Sequence, residues 1–335
     1  MKQDILVTGG LGYIGSHTVV ELNNNGFTPI ILDNLSNSRL SVLDGLTSIL
    51  KNKPMFYEGD FADSKLLNKI ISTHNISGVI HFAAYKAVAE SVSKPLNYYQ
   101  NNVAGFINFL NTLSENNISN LVFSSSCTVY GEPDKLPITE SAPFKSAESP
   151  YGASKQMCEI ILKDAQRAKN IKSAISLRYF NPIGAHKSGL IGELPLGIPA
   201  NLVPYVAQTA SKIRKEIIIN GNDYPTVDGT CIRDYIHVVD LAKAHVKALD
   251  LLFKNNEFYD AVNIGTGKGT SVLEIINQFM AVNHVSIPYK IGPRRIGDIV
   301  EIYASTSKAN NQLNWSAELS VKEALVDVWR WQQNI

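Results

Sequence analysis

Little in this chain suits a disulfide framework, a metal or a membrane. Its 335 residues hold only three cysteines, Cys127, Cys158 and Cys231. They are odd in number and widely spaced, which points to a reducing compartment, and the protein is expected to be cytoplasmic. No Cys-x-x-Cys and no His-x-x-x-His occurs among these and the seven histidines, so no metal site is expected. Nowhere do 18 apolar residues follow one another, and only three, Ile5 to Val7, precede the first glycines. That is too short for a signal-peptide core, and no spanning helix is expected either. Charge of one sign is missing as well. Thirty-one basic residues against 30 acidic leave a formal +1, which offers no footprint for nucleic acid or an anionic membrane.

What is present is 44% hydrophobic residues, enough for a large core in one big domain or two intimately packed ones. Short apolar runs recur at Ile5 to Val7, Pro29 to Leu32, Met55 to Tyr57, Val79 to Phe82, Leu121 to Phe123 and Ala174 to Leu177. Helical stretches separate them. Strands alternating with helices predict an α/β fold, a doubly wound parallel sheet of the Rossmann type. Asn97 to Asn116 and Tyr151 to Asn170 read as two long helices. After Arg178 the texture changes: Asn181-Pro182-Ile183-Gly184 and the Gly- and Pro-rich stretch Gly189 to Pro204 are not expected to form a regular element. Residues 1–180 are therefore assigned to the doubly wound part and 181–335 to a smaller lobe, with segments near 235–265 able to return to the first. In the second part a helix is expected near Leu202 to Lys215 and another from Val239 to Phe253. Strands are expected near Ile217 to Ile219 and Val262 to Ile264.

Two motifs carry chemistry. Thr8-Gly9-Gly10-Leu11-Gly12-Tyr13-Ile14-Gly15 follows a strand and opens a helix, the context in which glycine spacing signals a dinucleotide site. Glycine allows a tight turn and close approach of backbone amides to a pyrophosphate, and the helix N-terminus favours the anion. No Lys follows Gly15, which excludes a nucleotide-triphosphate loop. Asp33 ends the second strand, where a carboxylate can bind a ribose and repel a 2′-phosphate, so NAD is favoured over NADP. Asp60 follows the third strand; a loop cap is an equally good reading of it.

The second motif is Tyr151-Gly152-Ala153-Ser154-Lys155, preceded by Ser124 to Ser126 at the end of the fifth strand. With 14 tyrosines and 31 basic residues, roughly one Tyr carries a basic residue four positions on by chance, so the pair needs its context. The i, i+4 spacing puts Tyr151 and Lys155 on one helical face. An ammonium nearby, together with a positive nicotinamide ring, is expected to depress the phenol from its usual value of about 10 and make it a base. Cys127, beside the serines, lacks a basic partner and is expected to pack.

These residues resemble the extended short-chain dehydrogenase/reductase family, and the resemblance runs essentially end to end. It rests on Gly9 to Ser16, Asp33-Asn34-Leu35-Ser36-Asn37-Ser38, Phe123 to Gly131, Arg178-Tyr179-Phe180-Asn181-Pro182, Arg233-Asp234-Tyr235-Ile236-His237 and Arg294-Arg295-Ile296-Gly297-Asp298. The resemblance implies a tightly held NAD, reduced and reoxidised within each turnover, and C4 epimerisation of UDP-hexoses through a 4-keto sugar. It implies Tyr151 as the base, Lys155 as the group that holds the ribose and lowers the phenol, and Ser126 as the hydroxyl on the reacting oxygen. NAD contacts implied in the same way are Gly9, Gly12, Tyr13, Ile14, Gly15, Asp33, Asn34, Leu35, Ser36, Asn37, Ser38, Asp60, Phe61, Phe82, Ala83, Lys86, Asn101 and Phe180, with Ser126, Tyr151 and Lys155. Substrate contacts are Ser126, Tyr151, Tyr179, Asn181, Asn201, Arg233, Arg295 and Asp298, the guanidinium groups being suited to a diphosphate. A homodimer through the two long helices is implied as well.

The chain departs from the family pattern in two places. Phe82-Ala83-Ala84-Tyr85 adds bulk where Phe-Ala-Gly is usual, and Ile302 stands where relatives restricted to unacetylated sugars carry Tyr. A UDP-N-acetylglucosamine or bifunctional 4-epimerase is therefore an alternative. A nucleotide-sugar 4,6-dehydratase is disfavoured, because Cys127 and Thr128 replace its Asp-Glu pair. An NAD-sensing regulator has no use for Tyr151, Lys155 and both arginines together.

Overall fold

Each of the six apolar runs forms a strand; five are buried ribbons of β-branched and aliphatic residues, while Met55 to Tyr57 is the half-exposed edge of the sheet. The computed structural model describes residues 2–295 and 297–335; Met1 of the N-terminal segment and Ile296 of the last motif lie outside them. The first six strands are β1 Asp4–Thr8, β2 Thr28–Asp33, β3 Met55–Glu58, β4 Ile76–His81, β5 Asn120–Ser126 and β6 Ser173–Tyr179. The seven further strands are β7 Asn181–Ile183, β8 Ile217–Asn220, β9 Ile232–His237, β10 Phe258–Ile264, β11 Gly269–Ser271, β12 Tyr289–Gly292 and β13 Glu301–Ile302. In the first half the helices are α1 Tyr13–Asn24, α2 Ser41–Leu50, α3 Ser64–Thr73, α4 Val88–Ser93, α5 Pro95–Tyr99, α6 Gly105–Glu115 and α7 Pro150–Arg167. The second half adds α8 Leu202–Ala210, α9 Val238–Lys254, α10 Val272–Asn283, α11 Ser307–Leu313 and α12 Val321–Gln332.

The main sheet has the order β10-β6-β5-β4-β1-β2-β3 and is parallel throughout. This is the doubly wound fold expected from the alternation of strands and helices. Period-2 alternation sorts its two faces. Ile5 and Val7 pack with Val19, Val20, Leu241 and Leu249 of α1 and α9, while Leu6 packs with Phe106, Phe109 and Leu162 of α6 and α7. Strand order reverses between β1 and β4, and the crevice outside the carboxyl ends of the strands at that point is where ligands bind in such sheets.

Past Tyr179 the chain builds a smaller layer. β7 and β13 flank β9 in parallel, β11 pairs it antiparallel, and β8 with β12 makes a separate two-stranded ribbon. Ile183, Val206, Ile219, Tyr235, Ile276 and Phe279 form its core. β10 then returns to the main sheet beside β6, in register from Phe258 on Ser173 to Ile264 on Tyr179.

Three local readings need correction. Asn181–Ile183 is a regular strand, since its partner β9, some fifty residues on, supplies a ladder that local Pro and Gly content does not reveal. The helix near Leu202 begins inside the Gly- and Pro-rich stretch and stops at Ala210 rather than Lys215. The expected helix Asn97 to Asn116 is interrupted by a π-turn at Gln100–Ala104.

Candidate active site

Backbone contacts explain the glycine loop. Gly9 has φ 71°, and a Cβ there would meet the Ala83 nitrogen at 2.9 Å; a Cβ on Gly15 would lie 2.2 Å from the Gly9 carbonyl oxygen. The α1 N-cap is Gly12, with no side-chain cap and no acidic residue in the first turn. Its first amides and the positive end of its dipole therefore remain available to an anion. At the end of β2, Asp33 Oδ2 accepts from the Leu11 amide at 3.0 Å, and Oδ1 accepts from the Leu35 amide at 2.9 Å and the Ser38 hydroxyl at 2.7 Å. A carboxylate has about four acceptor sites, so Asp33 braces the loop and still has capacity for a ribose hydroxyl. These groups fit a dinucleotide cofactor.

A cleft of about 980 Å³ runs from this loop across the ends of β1, β4 and β5 to the smaller layer. Next to the glycine loop it is lined by Gly9, Gly12, Tyr13, Ile14, Gly15, Asp33, Asn34, Ser36, Asn37, Ser38, Phe61, Phe82, Ala83, Lys86 and Asn101, and the bulkier Ala84 and Tyr85 lie beside them. Its far side is lined by Tyr179, Asn181, Asn201, Arg233, Arg295 and Asp298. Tyr151 and Lys155 stand between the two.

Helix α7 starts one residue before Tyr151. Pro150 occupies its first position, and the Ser149 hydroxyl accepts from the Gly152 amide at 3.2 Å, a cap that places Tyr151 in the first turn. In the protein alone, burial pushes the Tyr151 phenol up to about 12, although the Ser126 hydroxyl beside it works in the other direction. In the protein alone Lys155 by itself does not offset that burial. Lys155 Nζ donates to the Ser124 carbonyl at 2.6 Å and lies 6.0 Å from the Tyr151 ring centroid, so its charge is spent on β5 rather than on the phenol. Burial brings the Lys155 ammonium down to about 8, which leaves it mostly charged at neutral pH.

The far side holds two guanidinium groups around one carboxylate. Arg295 Nη2 donates to Asp298 Oδ1 at 2.6 Å, and Arg233 Nη2 lies 3.8 Å from the same oxygen. On the rim, Glu193 Oε1 accepts from Asn201 Nδ2 at 2.7 Å and from Lys86 Nζ at 3.4 Å. The Tyr179 ring reaches the cleft wall, but its hydroxyl is bonded to His245 Nε2. His245 Nδ1 then donates to the Leu241 carbonyl at 2.8 Å, and burial brings this ring down to about 3, so it is neutral.

Leu35, Asp60, Ser126 and Phe180 are not on the cleft wall. Leu35 packs under the loop, and Asp60 takes Asn34 Nδ2 at 3.0 Å and the Ala62 amide at 2.8 Å. Phe180 sits in the apolar cluster of Val129, Tyr130 and Ile302. Of the three serines, Ser124 lines the cleft, while Ser126 also caps the short turn that follows by accepting from the Thr128 amide at 3.3 Å. Cys127 is half-buried at the wall, and burial pushes its thiol up to about 12, so it is no nucleophile at neutral pH. Glu159, Glu193 and Ser149 went unnoticed in the sequence; Ser149 before Pro150 carried an N-cap signal and Glu159 a charge one turn on from Lys155, whereas Glu193 carried none. Among the described residues no group of three His, Cys, Asp or Glu side chains could hold a metal, and no helix is long and apolar enough to cross a membrane.

Comparison with known proteins adds the chemistry. The GDP-mannose 4,6 dehydratase family model matches residues 6–328. The UDP-glucose 4-epimerase of Bacillus subtilis (strain 168) is 49% identical over 330 residues, covering 98% of this chain and 97% of the relative. The chain belongs to the UDP-glucose 4-epimerase family. Two solved members of that family superpose on it almost completely. The epimerase from Stenotrophomonas maltophila, with bound NAD and formylated UDP-arabinopyranose, gives a TM-score of 0.96 at 44% identity over 99% of this chain and 98% of that one. The Bifidobacterium longum epimerase in complex with NAD+ and UDP gives 0.95 at 46% identity, with the same coverage.

Proposed function

We propose that this protein interconverts UDP-glucose and UDP-galactose by inverting C4 of the hexose, with NAD as its resident cofactor. One observation carries the reading. Tyr151, Lys155 and, at the end of β5, Ser124 stand on the same cleft that joins the glycine loop to Arg233 and Arg295, in a chain about half identical to UDP-glucose 4-epimerases. When bound, NAD would supply a hydride acceptor for C4, a hydride donor for the 4-keto sugar that follows, and a positive charge that favours ionisation of a phenol.

The chain's own residues do the rest. Tyr151, once ionised, takes the 4-hydroxyl proton and later returns it, so its phenol must be lowered from the value that burial sets in the protein alone. Ser126 stabilises the phenolate and the reacting oxygen. Lys155 holds the ribose and, through the Ser124 carbonyl, keeps α7 against β5. Gly9, Gly12, Gly15, Tyr13, Ile14, Asp33 to Ser38, Asp60, Phe61, Phe82, Ala83, Lys86, Asn101 and Phe180 form the cofactor set, some by contact and some by supporting the wall. Asn181, Asn201, Arg233, Arg295 and Asp298 bind the UDP-sugar, and Tyr179 backs the sugar with its ring. In this reading residues 1–180, rejoined by segments near 235–265, carry the cofactor and residues 181–335 carry the sugar nucleotide.

The protein acts as a cytoplasmic homodimer. Three free cysteines support the reducing compartment, and exposed Val92, Leu96, Ile107, Met157 and Ile160 on α4 to α7 support the dimer. The test is turnover in deuterium oxide. UDP-galactose should give UDP-glucose without added reductant and with no deuterium at C4. Solvent deuterium at that carbon, or no product from folded protein containing NAD, overturns the reading.

A further inference from the structure

Behind the serines lies a buried charge network that the reaction described above does not use. Glu159 and Arg178 are almost inaccessible, at 2% and 5% exposure. Arg178 Nε donates to Glu159 Oε1 at 3.0 Å and Oε2 at 3.2 Å, and Nη2 donates to Oε2 at 2.6 Å. Its Nη1 donates to the Tyr130 hydroxyl at 2.8 Å, which in turn donates to Asn263 Oδ1 at 2.6 Å. The Ser125 hydroxyl donates to Glu159 Oε1.

A buried ion pair is weak evidence of stability, because an apolar pair of like volume often serves a core as well or better. The position of this one is what distinguishes it. Ser125 lies between Ser124, whose carbonyl holds Lys155 Nζ, and Ser126, beside the Tyr151 phenol. Glu159 follows Lys155 by one helical turn and Tyr151 by two. Two bonds, Lys155 to Ser124 and Ser125 to Glu159, therefore pin α7 to the end of β5 one turn apart. Arg178 fixes the orientation of the carboxylate that makes the second. We propose that Glu159, held by Arg178 and acting through Ser125, is the positioning residue that sets the placement of Tyr151, Lys155 and Ser126 relative to one another.

The inference rests on the epimerase reading. Groups facing Lys155 are Tyr151, Cys158 and Glu159 on its own helix, His81 on β4, and the Phe123 ring and Ser124 carbonyl on β5. His81 is buried and neutral, its pKa being held well below the usual histidine range, which leaves Cys158 and Glu159 as the neighbours whose negative charge acts on Lys155, Glu159 being the carboxylate. Its charge favours the ammonium, and its removal moves Lys155 deprotonation to lower pH.

Three variants of the full-length protein test the proposal beside the wild type. Ser125→Ala keeps the ion pair intact and should lower kcat about tenfold, with KM for UDP-galactose and NAD content unchanged, since misplacement by about an ångström costs on the order of a hundredfold. Glu159→Gln should lower kcat about a hundredfold and shift the alkaline limb of kcat down by about one pH unit. The double variant Glu159→Met with Arg178→Met should recover thermal stability without recovering kcat. Ser125→Ala with kcat within twofold of wild type overturns the proposal. So does a double variant that regains kcat, or a loss of kcat that merely follows loss of NAD or of folded protein. If Glu159→Gln does not fold, Ser125→Ala decides alone. An inactive wild type would instead overturn the epimerase reading, so the two failures are distinguishable.

Discussion

Tyr151 shows how much one side chain depends on its surroundings. Its spacing to Lys155 was legible, but what surrounds the phenol was not: in the protein alone burial raises it to about 12, and the ammonium bonds the Ser124 carbonyl. Only distances and desolvation decide this, and a sequence contains neither. Tyr151→Phe removes the hydroxyl alone, so epimerase kcat should fall by about three orders of magnitude, within the usual range for an acid/base group. Bound NAD, read by absorbance after denaturation, should stay at the wild-type level. Asp33 was easier to recognise, because a carboxylate at the end of the second strand has few other uses next to a glycine loop. Its bond to the Leu11 amide was hidden, since Leu11 lies 22 residues away, whereas those to Leu35 and Ser38 are local.

At the scale of elements, α7 was read to within three residues at its end, from apolar periodicity and the Asn-rich turn after it. Its start depends on Ser149 and Pro150. Ser149→Ala should cost about 1 kcal/mol of stability, as lost N-caps do, measured by urea denaturation. It should also lower kcat, because fraying the first turn moves Tyr151. The π-turn at Gln100–Ala104 could not be read, although the helix around it was. There the Asn102 carbonyl accepts from the Cys158 thiol at 3.0 Å, and the Asn102 side chain bridges Tyr85 and Ser154. These partners lie on α7 and the β4 loop, and they divert a helix that local propensity alone would leave regular.

For the whole molecule, the exposed apolar side chains on α4 to α7 are the feature with the clearest consequence. Leu96 is 78% exposed and Ile160 52%, a poor arrangement for an isolated chain in water. Wild-type protein should sediment at roughly twice 36.8 kDa, and Leu96→Glu combined with Ile160→Glu should shift it toward the monomer. A wild type that sediments as monomer sinks the dimer. The main sheet, the glycine loop and the Tyr151 and Lys155 pair followed from the sequence by itself, because hydrophobic period, glycine spacing and i, i+4 stacking are local and survive in one dimension. The tertiary structure alone decided that β7 pairs β9, that β10 rejoins β6, that Glu193 spans Lys86 and Asn201, and that Glu159 meets Ser125 and Arg178. Those partners are brought together by chain crossings, and a hydrogen bond depends on angstroms of separation in space rather than on distance along the chain.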